Sequence, residues 1–106
     1  MTSKQRAYLK GLAMNLEPAF QMGKSSVTPE FVNAILEAFN NAELIKINVL
    51  KNCDADLREA ASVIAERTHA EVVQVIGKKI VLYKEAKDEK KRKIELPKEK
   101  KKKEAE

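Results

Sequence analysis

The sequence predicts an α/β domain of order α-β-α-β-α-β-β, a compact sandwich with one mixed four-stranded sheet and helices packed on it. Apolar residues recur at helical spacing in three segments, the strongest of which opens on Thr28-Pro29. Short β-branched runs of strand length lie between and after these segments, and Gly77 separates the last two runs as a hairpin turn would.

Residues 3–14 read as the first helix, with Ser3 as its cap and Gln5, Tyr8, Leu9 and Leu12 as its inward stripe. Arg6 and Lys10 sit one turn apart on another face. Pro18 closes this region, and residues 19–22 form a short strand bounded by that proline and by Gly23. In the second helix Thr28 is the cap, Pro29 suits the first helical position, and Phe31, Ile35, Ala38 and Phe39, flanked by Val32 and Leu36, make a broad apolar face that ends near Asn40 or Asn41. Residues 44–50 alternate, with Ile45, Ile47 and Val49 on a core face and Lys46 and Asn48 on a wet one. Asn52 or Asp54 caps a third helix that runs to Thr68, with Leu57, Ala60, Ala61, Ile64 and Ala65 inward; the alanines imply close packing. Residues 72–76 and 80–83 are two strands joined by Gly77-Lys78-Lys79, and their continuous apolarity predicts positions near the centre of the sheet.

At 106 residues the chain is long enough for one domain with a core that needs no disulfide or metal. Residues 1–97 make up that domain and residues 98–106 a disordered lysine-rich tail, with Ile94-Glu95-Leu96-Pro97 a small apolar return that tacks the chain end to the body. The net charge of +5 is uneven: residues 84–106 hold 11 basic and 7 acidic residues, residues 1–83 hold 10 and 9. Within the body, Glu30, Glu37, Asp54, Asp56, Glu59 and Glu66 fall in the second and third helices. Lys4, Arg6, Lys10, Lys24, Lys46, Lys78 and Lys79 fall in the first helix, two loops and a strand. Segregation of this kind attracts polyanions even when the total is nearly neutral. Cys53 has no second cysteine to pair with, and no leader or apolar run of membrane-spanning length is present, so a cytoplasmic protein without a membrane partner is expected.

The stretch from Gln21 to Glu30 carries the most chemistry. A strand runs through Gly23-Lys24-Ser25-Ser26 into a capped helix, offering backbone freedom, a charge, two hydroxyls and a helix N-terminus to a phosphate; the plainer alternative is a strand-to-helix turn with an exposed lysine. It is not a nucleotide-hydrolysing P-loop, because Pro18 stands where that pattern needs its first glycine. His69, the sole histidine, sits at a helix end, and Cys53 has at most that one partner, so no catalytic set, metal, cofactor or small-molecule substrate is expected.

With the elements in order, a set of strings matches one pattern. Lys4-Gln5-Arg6 with Leu9-Lys10 and Ala13, Pro18, Phe20-Gln21, Gly23-Lys24, Glu43-Leu44-Ile45-Lys46, residues 73–78, residues 81–84 and residues 94–97 together resemble the CRM domain, the chloroplast RNA splicing and ribosome maturation module, in its small stand-alone bacterial (YhbY-like) form. The resemblance covers about residues 2–97. It implies a fold similar to the C-terminal domain of translation initiation factor three, RNA binding, and, for bacterial members, association with precursors of the large ribosomal subunit. The family's loop motif is Gly-x-x-Gly, similar to that of KH domains, which clamp nucleotides with backbone. Here Gly23 and Lys24 match, whereas Ser26 replaces the second glycine and adds a side chain near the clamp.

The expected function is therefore docking on rRNA precursor through phosphates, using Arg6, Lys10, Gly23, Lys24, Ser25 and Ser26, with Lys46, Lys78 and Lys79 as further contacts. Four of the five aromatics lie on faces expected to point inward, so no stacking platform is foreseen and RNA shape supplies specificity. A monomer is expected. The competing readings are a basic protein-interaction module and a general nucleic-acid binder, including a DNA-compacting role.

Overall fold

The computed structural model describes residues 2–23, 27–51, 56–86 and 94. Its elements follow the expected order: α1 (Ser3–Ala13), β1 (Phe20–Met22), α2 (Pro29–Ala38), β2 (Leu44–Val49), α3 (Leu57–Thr68), β3 (Glu71–Ile76) and β4 (Lys79–Tyr83). The four strands form one mixed sheet in the order β1-β2-β4-β3, with β1 parallel to β2 and the other pairs antiparallel. The helices divide between its faces.

On one face α2 and α3 cover Met22, Ile45, Ile47, Val49, Ile80 and Leu82, joined by Ile35, Phe39, Ala60, Ala61 and Ile64. Burying each of these isoleucines contributes about 1.5–3 kcal/mol. On the other face α1 sets Leu9 and Ala13 against Val73, Val81, Tyr83 and Leu44, and Ile94 packs against the same cluster. The period of two in β2 produces both faces at once, its odd residues buried and its even ones half-buried.

Several expectations are corrected. Thr2, not Ser3, caps α1: its Oγ1 accepts the Gln5 N–H (3.1 Å) while the Gln5 Oε1 accepts the Thr2 N–H (3.0 Å), a reciprocal capping box. The inward stripe of α1 is Leu9 and Ala13, whereas Tyr8 (41% exposed) and Leu12 (40%) face water. Small Ala13 lets the helix approach the sheet closely, and Tyr8, about 100° round the helix from Leu9, turns away. Asp56 caps α3, its Oδ1 accepting from Arg58 and Glu59; Asn52 and Asp54 lie outside the described residues. Strand β3 is an edge strand. Its apolar run reflects cover on both faces, with Val72 and Val75 on the α2–α3 side and Val73 under α1, a division made by an irregularity of register between Val72 and Gln74. The hairpin loop is two residues, Gly77-Lys78, with φ +56° at Gly77; Lys79 belongs to β4.

Glu43 is buried just before β2, and its carboxylate accepts the backbone N–H of Ala86 (2.9 Å) and of Ile94 (3.0 Å). Ala86 and Ile94 are thereby held to the start of β2; Glu95, Leu96 and Pro97 of the expected apolar return lie outside the described residues. The tail expected at residues 98–106 lies outside the described residues. No helix among the described residues is long and apolar enough to cross a membrane.

Candidate nucleic-acid interface

Charge follows the two layers. The α2–α3 layer carries Glu30, Glu37, Asp56, Glu59 and Glu66 against Arg58 and Arg67. The opposite face and its hairpin carry Lys4, Arg6, Lys10, Lys46, Lys78 and Lys79 against Glu71. A sheet with an acidic layer on one side and lysines on the other has a directional field, which orients an approaching polyanion.

At the open end of the α1 face several loops meet. Met22 O accepts the Leu50 N–H (2.8 Å) and Lys78 O accepts the Val49 N–H (2.7 Å), so Gly23, the start of the β2–α3 connection and the β3–β4 hairpin share one edge. Lys24, Ser25 and Ser26 lie outside the described residues; Met22 before them and Val27 after them are held in the fold. Phe20 of β1 meets Phe31 of α2 edge-on, with ring centroids 5.9 Å apart and planes at 81°, and Val27 packs on the core. Thr28 Oγ1 accepts the Phe31 N–H (3.1 Å) and Pro29 has no N–H, so the end of α2 offers an anion fewer donors than an uncapped terminus would.

Lys46 and Lys79 are engaged with the protein. Lys46 Nζ donates to Ala13 O (3.1 Å) and Leu16 O (3.2 Å), the carbonyls that leave the C-terminal end of α1, where a cation suits the helix dipole. Lys79 Nζ donates to Asn48 Oδ1 (2.9 Å). Lys46 and Asn48 alternate along β2, so they link the end of α1 to the hairpin edge on one surface. On α1 itself Arg6 is half-buried and Lys10 exposed; Lys78 is exposed at the hairpin. His69 is the C-cap of α3 in the left-handed region (φ 59°), and the described residues contain no group of three His, Cys, Asp or Glu side chains that could hold a metal ion.

Gln21, Asn48 and Ile76 are not among the contacts expected from the sequence. Only the register of the strands brings them together with Lys79; the one advance signal is the polar alternation of β2.

Comparison with known proteins agrees with this architecture. The sequence model of the CRS1 / YhbY (CRM) domain matches residues 1–84. The chain is 42% identical over 97 residues to the "Probable RNA-binding protein YqeI" of Bacillus subtilis (strain 168), covering 92% of this chain and 99% of that protein. It is 35% identical over 98 residues to an "RNA-binding protein" of Haemophilus influenzae, covering 92% and 95%. The solution structure of a hypothetical protein from Staphylococcus aureus superposes with a TM-score of 0.76 at 43% identity, covering 92% and 99%.

Proposed function

Because the chain belongs to the CRS1 / YhbY (CRM) domain family, we propose that it is an RNA-binding protein that docks on precursor rRNA of the large ribosomal subunit during assembly. The observation that carries this reading is the imbalance of charge across the sheet: lysines and an arginine outnumber Glu71 on the α1 face and hairpin, and carboxylates outnumber arginines on the α2–α3 layer. Relatives named as RNA-binding proteins match nearly end to end.

In this mechanism Lys10, Lys78 and Lys79 neutralise phosphates and release counterions, and Arg6 adds a planar fork suited to a phosphate. Gly23, Lys24, Ser25 and Ser26 form the second contact, where backbone and hydroxyls meet sugar-phosphate. Lys46 keeps α1 seated and offers its remaining N–H. The chain acts in the cytoplasm as a monomer, without catalysis, and the lysines beyond residue 97 add affinity that does not depend on sequence.

The test is binding to folded RNA and to duplex DNA across a salt series. With about four phosphates contacted, log K falls against log salt with a slope near −3, and folded RNA is preferred. Arg6→Ala with Lys10→Ala weakens RNA binding more than about tenfold without unfolding the protein, and removing residues 98–106 weakens it less. Abolition of binding by the tail deletion alone would sink the role of the folded surface. Crosslinking in cells followed by sequencing of the attached RNA separates rRNA precursors from messages.

A protein-interaction role is the second reading, favoured by Tyr8 and Leu12, which stand exposed one turn apart on α1. Salt-insensitive binding to a protein partner, with no RNA preference, would select it.

A further inference from the structure

One row of side chains crosses all four strands at the end of the sheet that α1 leaves open. Gln21 pairs with Asn48, Asn48 with Lys79, and Lys79 with Ile76. Each projects away from α2 and α3, because its neighbours in the strand pack there: Phe20 and Met22 about Gln21, Ile47 and Val49 about Asn48, Ile80 after Lys79, Val75 before Ile76. Across four strands at 4.7–4.9 Å spacing the row is about 14 Å wide.

Its chemistry is specific. An ammonium group only donates, so Asn48 must turn Oδ1 toward Lys79, and its Nδ2 hydrogens point away from that ammonium. Asparagine is disfavoured within strands, and here it stands between Ile47 and Val49. Gln21 is exposed beside it with a full amide. At the other end Ile76 is 58% exposed, an apolar side chain on an otherwise polar row. Oriented donors, a second amide, one cation and one apolar contact are what the edge and face of an unstacked base require, whereas a duplex presents mainly phosphates and 2′-hydroxyls.

We infer that this row, given the RNA-binding role proposed above, reads unpaired nucleotides: Asn48 Nδ2 and the Gln21 amide hydrogen-bond base carbonyls and ring nitrogens, Lys79 holds the adjoining phosphate, and Ile76 packs on a base. The row continues the lysine-bearing surface, which brings the strand in by its backbone. Specificity thus has a residue-level source besides RNA shape.

The test compares an RNA hairpin with an open loop against a fully paired RNA of equal length, using the full chain. Wild-type protein binds the looped RNA more tightly. Gln21→Ala and Asn48→Ala each weaken that binding by about threefold to tenfold, the size of a lost hydrogen bond, and leave duplex binding unchanged. Arg6→Ala with Lys10→Ala weakens both RNAs together. Gln21 is exposed, so its variant folds even if loss of Asn48 disturbs β2, and melting curves establish this. Unchanged affinity of the Gln21 variant for looped RNA, or an equal fall for both RNAs, overturns the row while leaving RNA binding intact. Failure of wild-type protein to bind either RNA overturns both proposals.

Discussion

The two faces of the sheet are built from alternate residues of the same strands and meet different demands. Under α2 and α3, Ile45, Ile47, Ile80 and Leu82 are almost wholly sealed. Under α1 only one end is sealed, by Leu9 and Ala13, and the rest carries Lys46, Asn48 and Lys79 in half-buried settings. Two helices can exclude water from a face; a single helix leaves polar groups within reach of solvent, and these are given protein partners such as Ala13 O, Leu16 O and Asn48 Oδ1. Stability therefore concentrates on one face, and the proposed recognition surface lies on the other, with β2 serving both.

Substitutions that separate the faces test this contrast. The largest effect falls on the sealed side: Ile47→Ala costs about 3–4 kcal/mol, read as a lower urea midpoint, while the folded fraction keeps its RNA affinity. A loss below about 1 kcal/mol would mean that the sealed face is not the main source of stability. At the margin of the α1 face, Glu43→Ala withdraws the acceptor of the Ala86 and Ile94 N–H groups and costs about 1–3 kcal/mol. Hydrogen exchange at those two amides should accelerate, and unchanged protection would rule out the clasp.

Lys46→Met keeps the stem and removes the ammonium from the end of α1, lowering stability by about 1–2 kcal/mol in thermal melts. A variant that melts normally yet loses RNA affinity would move Lys46 wholly to recognition. The smallest effect has the opposite sign: His69→Gly relieves a left-handed backbone at the end of α3 and stabilises by up to about 1 kcal/mol. Destabilisation there would show that the imidazole makes a contact worth more than the relief.

Much of this was legible in the chain. Thr28-Pro29, the alternation of β2 and Gly77 each state a local rule that the structure follows, because capping, pleat and turn geometry depend on neighbours in sequence. The structure departs from these local rules where a long-range partner chooses between local options. Spacing alone puts Tyr8 and Leu12 on the inward stripe with Leu9, but the sheet beneath α1 accepts Leu9 together with Ala13 and leaves the other two in water. The apolar run of β3 suggested a central strand, yet an edge strand flanked by helices on both faces needs the same residues.

The amino-acid order by itself determined the succession of elements, the core face of β2 and the concentration of acids in α2 and α3. Tertiary structure alone decided which helix covers which face, that the Glu43 carboxylate clasps the chain at Ala86 and Ile94, and that Gln21, Asn48, Lys79 and Ile76 stand in one row. The physical reason is separation along the chain: helix period and strand pleat are set within a few residues, whereas register and cover depend on groups dozens of positions apart that meet only when the sheet closes.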